Sequence, residues 1–173
     1  MAQFVVERLE PSRHDRKGFV CESEPYTRFL REYARQNDEA GFSATYVGIA
    51  AGSEKEVMGY LTLSMGQVAH SDVERSAVGR LPPYPIPVLH VGMLATSENH
   101  TGKGVGKLLL RWAMLKAVEL AKEVGCHALQ LEAAEDSLVE YYEKLNFVRM
   151  SLANRLMYLP IATIRDGLAN PPD

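Results

Sequence analysis

The sequence predicts an α/β (α+β) fold built on a mixed sheet, and three observations predict it. Short alternating segments interleave with segments of 3.6-residue periodicity. A strand, a glycine-rich loop, a long helix and a second strand follow one another over 88–133, which is a parallel crossover unit. The chain has 173 residues, 46% hydrophobic and 24% charged, which suits one globular domain with a real core. A single domain spanning 1–173 is therefore expected.

The elements follow in order. Residues 3–9 alternate as a first strand, and 11–18 are loop-like. Glu24 and Pro25 open a helix running to about Ala40, with Tyr26, Phe29, Leu30, Tyr33 and Ala34 on its apolar face and Gly41 as its stop. Residues 44–50 and 56–65 form a hairpin about Gly52 and Ser53. The four prolines of 80–87 exclude helix and central strand, leaving an extended connector. Val88–Thr96 is the most strand-like run. A helix from Gly104 to about Val124 carries one apolar face through Leu109, Leu110, Ala113 and Ala117. Leu108, Trp112 and Leu115 add a second apolar strip, so this helix is expected to be covered on more than one side, by the early helix or by a second copy in a homodimer. Strand 127–133, helix 136–145 and strands 147–150 and 155–159 complete the pattern. The tail after about 160 is expected to be loosely packed.

Composition narrows the function. No apolar run reaches the roughly 18 residues of a membrane span, and the N-terminus lacks the pattern of a signal peptide. Cys21 and Cys126 are too few and too isolated for a disulfide framework or a zinc site, so no metal is expected and the cytoplasm is the expected compartment. The formal net charge of −3 argues against a broad nucleic-acid-binding surface, although Arg8, Arg13, Arg16 and Lys17 make a modest local basic cluster, whose plain reading is a solvated loop.

Gly102, Gly104 and Gly106 alternate between the end of a strand and the start of a long helix. Glycine lets the backbone approach a ligand, and a helix N-terminus offers unpaired N–H groups and partial positive charge. Together these suit a pyrophosphate, with Lys103 and Lys107 adding charge. The spacing is not that of a P-loop: Thr101 stands where its first glycine would be, and Leu108 where its serine or threonine would be. It is not GxGxxG either. A glycine-rich turn without a ligand is the alternative reading.

The hexamer Thr101-Gly102-Lys103-Gly104-Val105-Gly106 resembles the Gln/Arg-x-x-Gly-x-Gly/Ala signature of the GCN5-related N-acetyltransferase (GNAT) family, with Thr101 at the leading position. Tyr141-Tyr142-Glu143-Lys144-Leu145-Asn146-Phe147 is similar to the family's Phe-Tyr-x-x-x-Gly-Phe, with Asn146 at the left-handed helix stop. The resemblance implies a GNAT-like mixed, mostly antiparallel sheet around the parallel unit, and acetyl-CoA as co-substrate. It implies that Leu94, Ala95 and Thr96 pair with the pantetheine arm and that Gly102, Lys103, Gly104, Val105, Gly106 and Lys107 hold the pyrophosphate. Tyr142 would protonate the departing thiolate, and an amine would attack the thioester directly. A backbone N–H near Leu94 would serve the oxyanion. His90, on the face of Leu94, is the candidate base, with Glu132 on the next strand as a second. Both read equally as ordinary sheet residues, Tyr141 reads as packing, and Cys126 reads as a buried strand residue.

Phe19-x-Cys21 through Phe29-Leu30, Thr45-Tyr46-Val47, Gly59–Ser64, Leu81–Val88 and Ala133-Ala134-Glu135-Asp136 look like the acetyltransferase toxins of toxin–antitoxin pairs. That narrower resemblance implies charged tRNA as acceptor and a ribbon–helix–helix antitoxin as partner. A small-molecule or peptide amine is the other acceptor class, and a CoA-binding regulatory module without turnover is the third reading. The early helix, the 66–80 loop and the proline connector would form the acceptor walls.

Overall fold

The structure is a computed structural model that describes residues 3–53, 55–73 and 81–170. Residues 74–80 of the expected acceptor wall, Arg80 of the connector and the last three residues of the tail lie outside the described residues. Seven strands follow the order β1-β2-β3-β4-β5-β7-β6: β1 (Phe4–Arg8), β2 (Ala44–Ala50), β3 (Gly59–Val68), β4 (Ile86–Thr96), β5 (Ala128–Glu132), β6 (Val148–Arg149) and β7 (Leu156–Pro160). β4 and β5 run parallel, while the β1–β2, β2–β3, β5–β7 and β6–β7 pairs are antiparallel. The expected mixed sheet with a central parallel unit is thus present. Among the described residues no helix is long and apolar enough to cross a membrane.

The chain forms two compact units, Met1–Ser64 with Gly92–Ala113, and Met65–Val91 with Met114–Asp173. In the first, β1 lies on β2 from Phe4↔Ala50 to Arg8↔Tyr46, and β2 lies on β3 from Ala44↔Leu63 to Gly48↔Gly59. Helix α1 (24–39) packs its apolar side toward Tyr60, which is fully buried. The Tyr60 ring meets Phe19 edge-on at 5.4 Å and Phe29 stacked at 6.3 Å, and its hydroxyl donates to the Tyr26 carbonyl at 2.7 Å. Burial pushes this phenol above its ordinary range. Each such large side chain contributes roughly 1.5–3 kcal/mol through burial.

Helix α1 differs from expectation in its middle. Phe29–Tyr33 is a π-helical turn in which the Ala34 N–H reaches back to the Phe29 carbonyl. The extra residue in the turn shifts the register. Phe29, Leu30 and Ala34 keep the core side, whereas Tyr33 turns outward, with the Arg28 guanidinium 5.6 Å from its ring centre. Gly41, at φ +76°, ends the helix as expected.

At Gly59, the first residue of β3, the end of β4 and the start of the long helix α2 (Val105–Leu120) approach closely. A Cβ there would lie 2.8 Å from the Ala95 carbonyl oxygen and 2.8 Å from Val105 Cγ1. Neither backbone nor a buried valine can yield cheaply. Gly59→Ala is expected to lower stability by about 1–3 kcal/mol, read by denaturant unfolding; an unchanged midpoint would contradict this packing.

In the second unit, β5 runs beside β4 from Val88↔Ala128 to Val91↔Leu131 and beside β7 from Ala128↔Pro160 to Glu132↔Leu156. Val68, Ile86, Val88, Ala128, Met150 and Tyr158 form its core. Helix α3 (Asp136–Glu143) precedes β6. The expectation of a loose tail is corrected: Ile161–Ala169 is a helix, α4. Ile161 and Ile164, three residues apart, bury one side of it, and the Ile161 N–H donates to the His127 carbonyl at 2.9 Å.

The long helix departs from expectation too. It ends at Leu120 rather than Val124. The Trp112 ring rests on Tyr46 at 4.5 Å, but Leu108 and Leu115 stay exposed. The second apolar strip is therefore only partly covered within the chain.

Candidate functional site

The glycine loop is a strand end converted into a helix start by two left-handed residues. After β4 the Ser97 N–H donates to the Met58 carbonyl at 2.9 Å, and a single 3-10 turn spans Glu98–His100. Gly102 (φ +76°) and Gly104 (φ +80°) then reverse the backbone, and helical bonding begins with the Leu108 N–H on the Gly104 carbonyl at 3.1 Å. The opening N–H groups of such a helix have no intrahelical acceptor. Gly102, Lys103 and Gly104 are exposed, whereas Val105 and Leu109 are buried and anchor the helix. A Cβ at Gly102 or Gly104 would meet nothing within 4 Å. The requirement for glycine there is the backbone angle and the bare approach side, which fits a phosphate-bearing ligand.

Gly106 has another reason to be small, since its Cβ would lie 3.4 Å from Thr96 Oγ1. The structure thus brings Thr96 and Gly106 together, with Ala95 buried and Leu94 half-buried just before them on β4. Thr101 donates its hydroxyl to the Ser97 carbonyl at 3.4 Å, so it braces its own turn. Lys103 Nζ donates to the Asn99 carbonyl at 2.8 Å, while Lys107 is exposed and has no hydrogen-bond or ion-pair partner among the described residues.

Three supports were not visible in the sequence. His100 Nε2 lies 3.6 Å from Glu56 Oε1 and ties the loop to the turn before β3. The Met93 N–H is taken by the Thr62 hydroxyl at 2.9 Å, which removes this amide from the oxyanion donors near Leu94. Gln130, buried and in register with His90, accepts from or donates to His90 Nδ1. With the amide oxygen facing the ring, Nδ1 carries the proton and Nε2 is left as the acceptor. His90 itself is half-buried.

Tyr142 is buried on α3, and the turn after it fixes its ring. The Phe147 N–H donates to the Tyr142 carbonyl at 3.1 Å and the Asn146 N–H to the Glu143 carbonyl at 3.0 Å. This is a Schellman stop, with Asn146 at φ +68° in the left-handed position expected of it. Its customary apolar contact is here between the rings of Tyr142 and Phe147, 5.5 Å apart. Tyr141, expected to pack, is exposed and meets Tyr142 edge-on at 5.3 Å. Glu132 is exposed at the end of β5. Cys126 is a half-buried free thiol just before β5, pushed up by burial, which makes it a poor nucleophile at neutral pH.

Comparison with known proteins agrees with this geometry. The model of the acetyltransferase (GNAT) family matches residues 6–147. A tRNA-acetylating toxin of Mycobacterium tuberculosis is 33% identical over 119 residues, 69% of this chain and 69% of that protein. A probable toxin TacT of Sinorhizobium fredii is 26% identical over 95% of this chain and 94% of its own length. Among solved structures, a bacterial toxin superposes with a TM-score of 0.87 at 18% identity, covering 100% of this chain and 99% of its own. The toxin AtaT, complexed with acetyl-methionyl-tRNAfMet, superposes with a TM-score of 0.83 at 23% identity, covering 96% and 99%. The two superpositions establish the fold. From the family match and the curated relatives, the chain belongs to the GNAT acetyltransferase family and is an acetyl-CoA-dependent N-acetyltransferase similar to the toxins.

Proposed function

We propose that this chain transfers the acetyl group of acetyl-CoA to the α-amino group of an aminoacyl-tRNA. The observation that carries the reading is the 33% identity, over 69% of the chain, to a tRNA-acetylating toxin. Both compact units act as one acyltransferase domain, in keeping with a family match that runs from residue 6 to residue 147.

The opening N–H groups of α2, with Gly102, Lys103, Gly104, Val105, Gly106 and Lys107, take the pyrophosphate, and Leu94, Ala95 and Thr96 pair with the pantetheine arm. The acceptor amine, once neutral, attacks the thioester carbonyl carbon. A C–N bond forms, the C–S bond breaks, and the Tyr142 hydroxyl gives its proton to the sulfur. His90, held through Nδ1 by Gln130, takes the proton released from nitrogen on Nε2. A ribbon–helix–helix antitoxin is the partner that matches such an activity, and the cytoplasm, where charged tRNA is found, is the compartment. The exposed Leu108 and Leu115 suit a second copy of the chain.

The test is steady-state transfer from labelled acetyl-CoA to charged tRNA, to uncharged tRNA and to a panel of free amines. Charged tRNA is expected to be the best acceptor by kcat/KM. Efficient acetylation of a free amine with none of charged tRNA would contradict the acceptor.

A further inference from the structure

The bonding shows which charges in and around the N-terminal basic cluster are offset by carboxylates. Arg13 pairs with Glu7 and, at 3.5 Å, with Glu10. His14 is buried and neutral: its Nδ1 accepts the Glu10 N–H at 2.9 Å, so the proton sits on Nε2 and is donated to Glu7 at 2.8 Å. Arg8 pairs with Asp38 at 2.6 Å, Arg28 with Glu32 at 3.0 Å and Arg35 with Glu39 at 3.1 Å. Asp15 accepts the Gly18 N–H at 2.9 Å.

Arg16, Lys17 and Arg31 remain. Arg16 Nη1 donates to the Arg31 carbonyl at 2.8 Å, and Arg31 Nε donates to the Phe19 carbonyl at 2.9 Å. Both residues are half-buried and their guanidinium groups are held by neutral carbonyl oxygens, with no carboxylate paired to them among the described residues. Lys17 is exposed and has no hydrogen-bond or ion-pair partner among the described residues. An open cleft beside them is lined by Arg16, Lys17 and Arg35, with the carboxylates Asp15 and Glu39 at its wall; Glu39 is paired with Arg35, which leaves Arg16 and Lys17 against Asp15 alone. A fixed guanidinium keeps several N–H donors for a further acceptor, and that planar fork matches phosphate oxygens.

We propose that Arg16, Lys17 and Arg31 form a docking face for the phosphate backbone of an RNA substrate, an inference that rests on charged tRNA being the acceptor. At a net charge of −3 the chain as a whole does not attract RNA, so the attraction falls to a local face of this kind.

Lys17→Glu is the safest variant because this side chain supports nothing in the fold; Arg16→Gln is the second. KM for charged tRNA should rise on the order of tenfold in each, and the slope of log affinity against log salt should fall by about 1 per cation removed. KM for acetyl-CoA should not move, nor should turnover of an aminoacyl methyl ester, which has the amine but no phosphate. Arg16→Lys should recover part of the loss. Unchanged KM for charged tRNA in both variants would overturn the proposal, as would an equal loss on the ester. If the wild type acetylates no charged tRNA, the acceptor reading fails by itself. Binding of uncharged tRNA then decides: salt-sensitive binding lost in Lys17→Glu supports the face, and binding that is absent, or equal in wild type and variant, overturns it.

Discussion

Tyr142→Phe is expected to lower kcat by about a hundredfold or more while leaving the affinity for acetyl-CoA within a factor of about two. The substitution removes one oxygen and keeps the ring that closes the Schellman stop against Phe147. A stability loss of at most about 1.5 kcal/mol is expected, the range of one hydrogen bond. A thiolate leaving without a proton donor is a poor leaving group, whereas a phenol is protonated at neutral pH and can supply that proton. Single-turnover transfer, with acetyl-CoA binding by calorimetry beside it, separates the two roles. Slow chemistry with intact binding supports general-acid action. Unchanged turnover would leave Tyr142 a packing residue, and lost binding would place it in the CoA site instead.

The second large effect is expected at Gly104. Gly104→Val should raise KM for acetyl-CoA by about a hundredfold or more, since the change adds left-handed strain of roughly 1–2 kcal/mol and places a branched side chain on the approach side of the loop. The protein itself has room, because a Cβ there would meet nothing within 4 Å. Gly104→Asn separates the causes: asparagine accepts φ +80° at little cost but still carries a side chain. Weak acetyl-CoA binding by a well-folded Gly104→Asn protein supports the bare-backbone cradle. Full binding would confine the role of this glycine to its backbone angle.

How far the sequence could be read follows from where its information is local. The left-handed stop at Asn146 was legible because one residue in a known helix-ending pattern carries it, and the glycine loop was legible for the same reason. The strands of the hairpin and the parallel unit announced themselves by alternation. The helix Ile161–Ala169 did not, since it is short, contains β-branched residues and Gly167, and depends on burial of Ile161 and Ile164. The π turn at Phe29–Tyr33 was invisible to a 3.6-residue template, which put Tyr33 in the core. The exposure of Leu108 and Leu115 was equally hidden, because periodicity shows which faces are apolar and not what covers them.

In the site, residue types were legible and supports were not. Thr62 on the Met93 amide, Glu56 by His100 and Gln130 on His90 are pairings across 31, 44 and 40 positions of sequence, and no local pattern encodes them. The basic cluster shows the same division. Arg8, Arg13, Arg16 and Lys17 were plain in the sequence, yet only the bonding adds Arg31 to them and separates Arg16 and Arg31, held by carbonyls, from Arg8 and Arg13, held by carboxylates.

The most direct measurement is the chemical identity of the product formed from charged tRNA and acetyl-CoA. After reaction the tRNA is digested with nuclease and the aminoacyl-adenosine is weighed by mass spectrometry. An aminoacyl-adenosine one acetyl group heavier, with the acetyl on the α-amino nitrogen, formed by the wild type and lost in Tyr142→Phe, is the predicted result. Aminoacyl-adenosine of unchanged mass, while the same enzyme acetylates a free amine, would contradict the account.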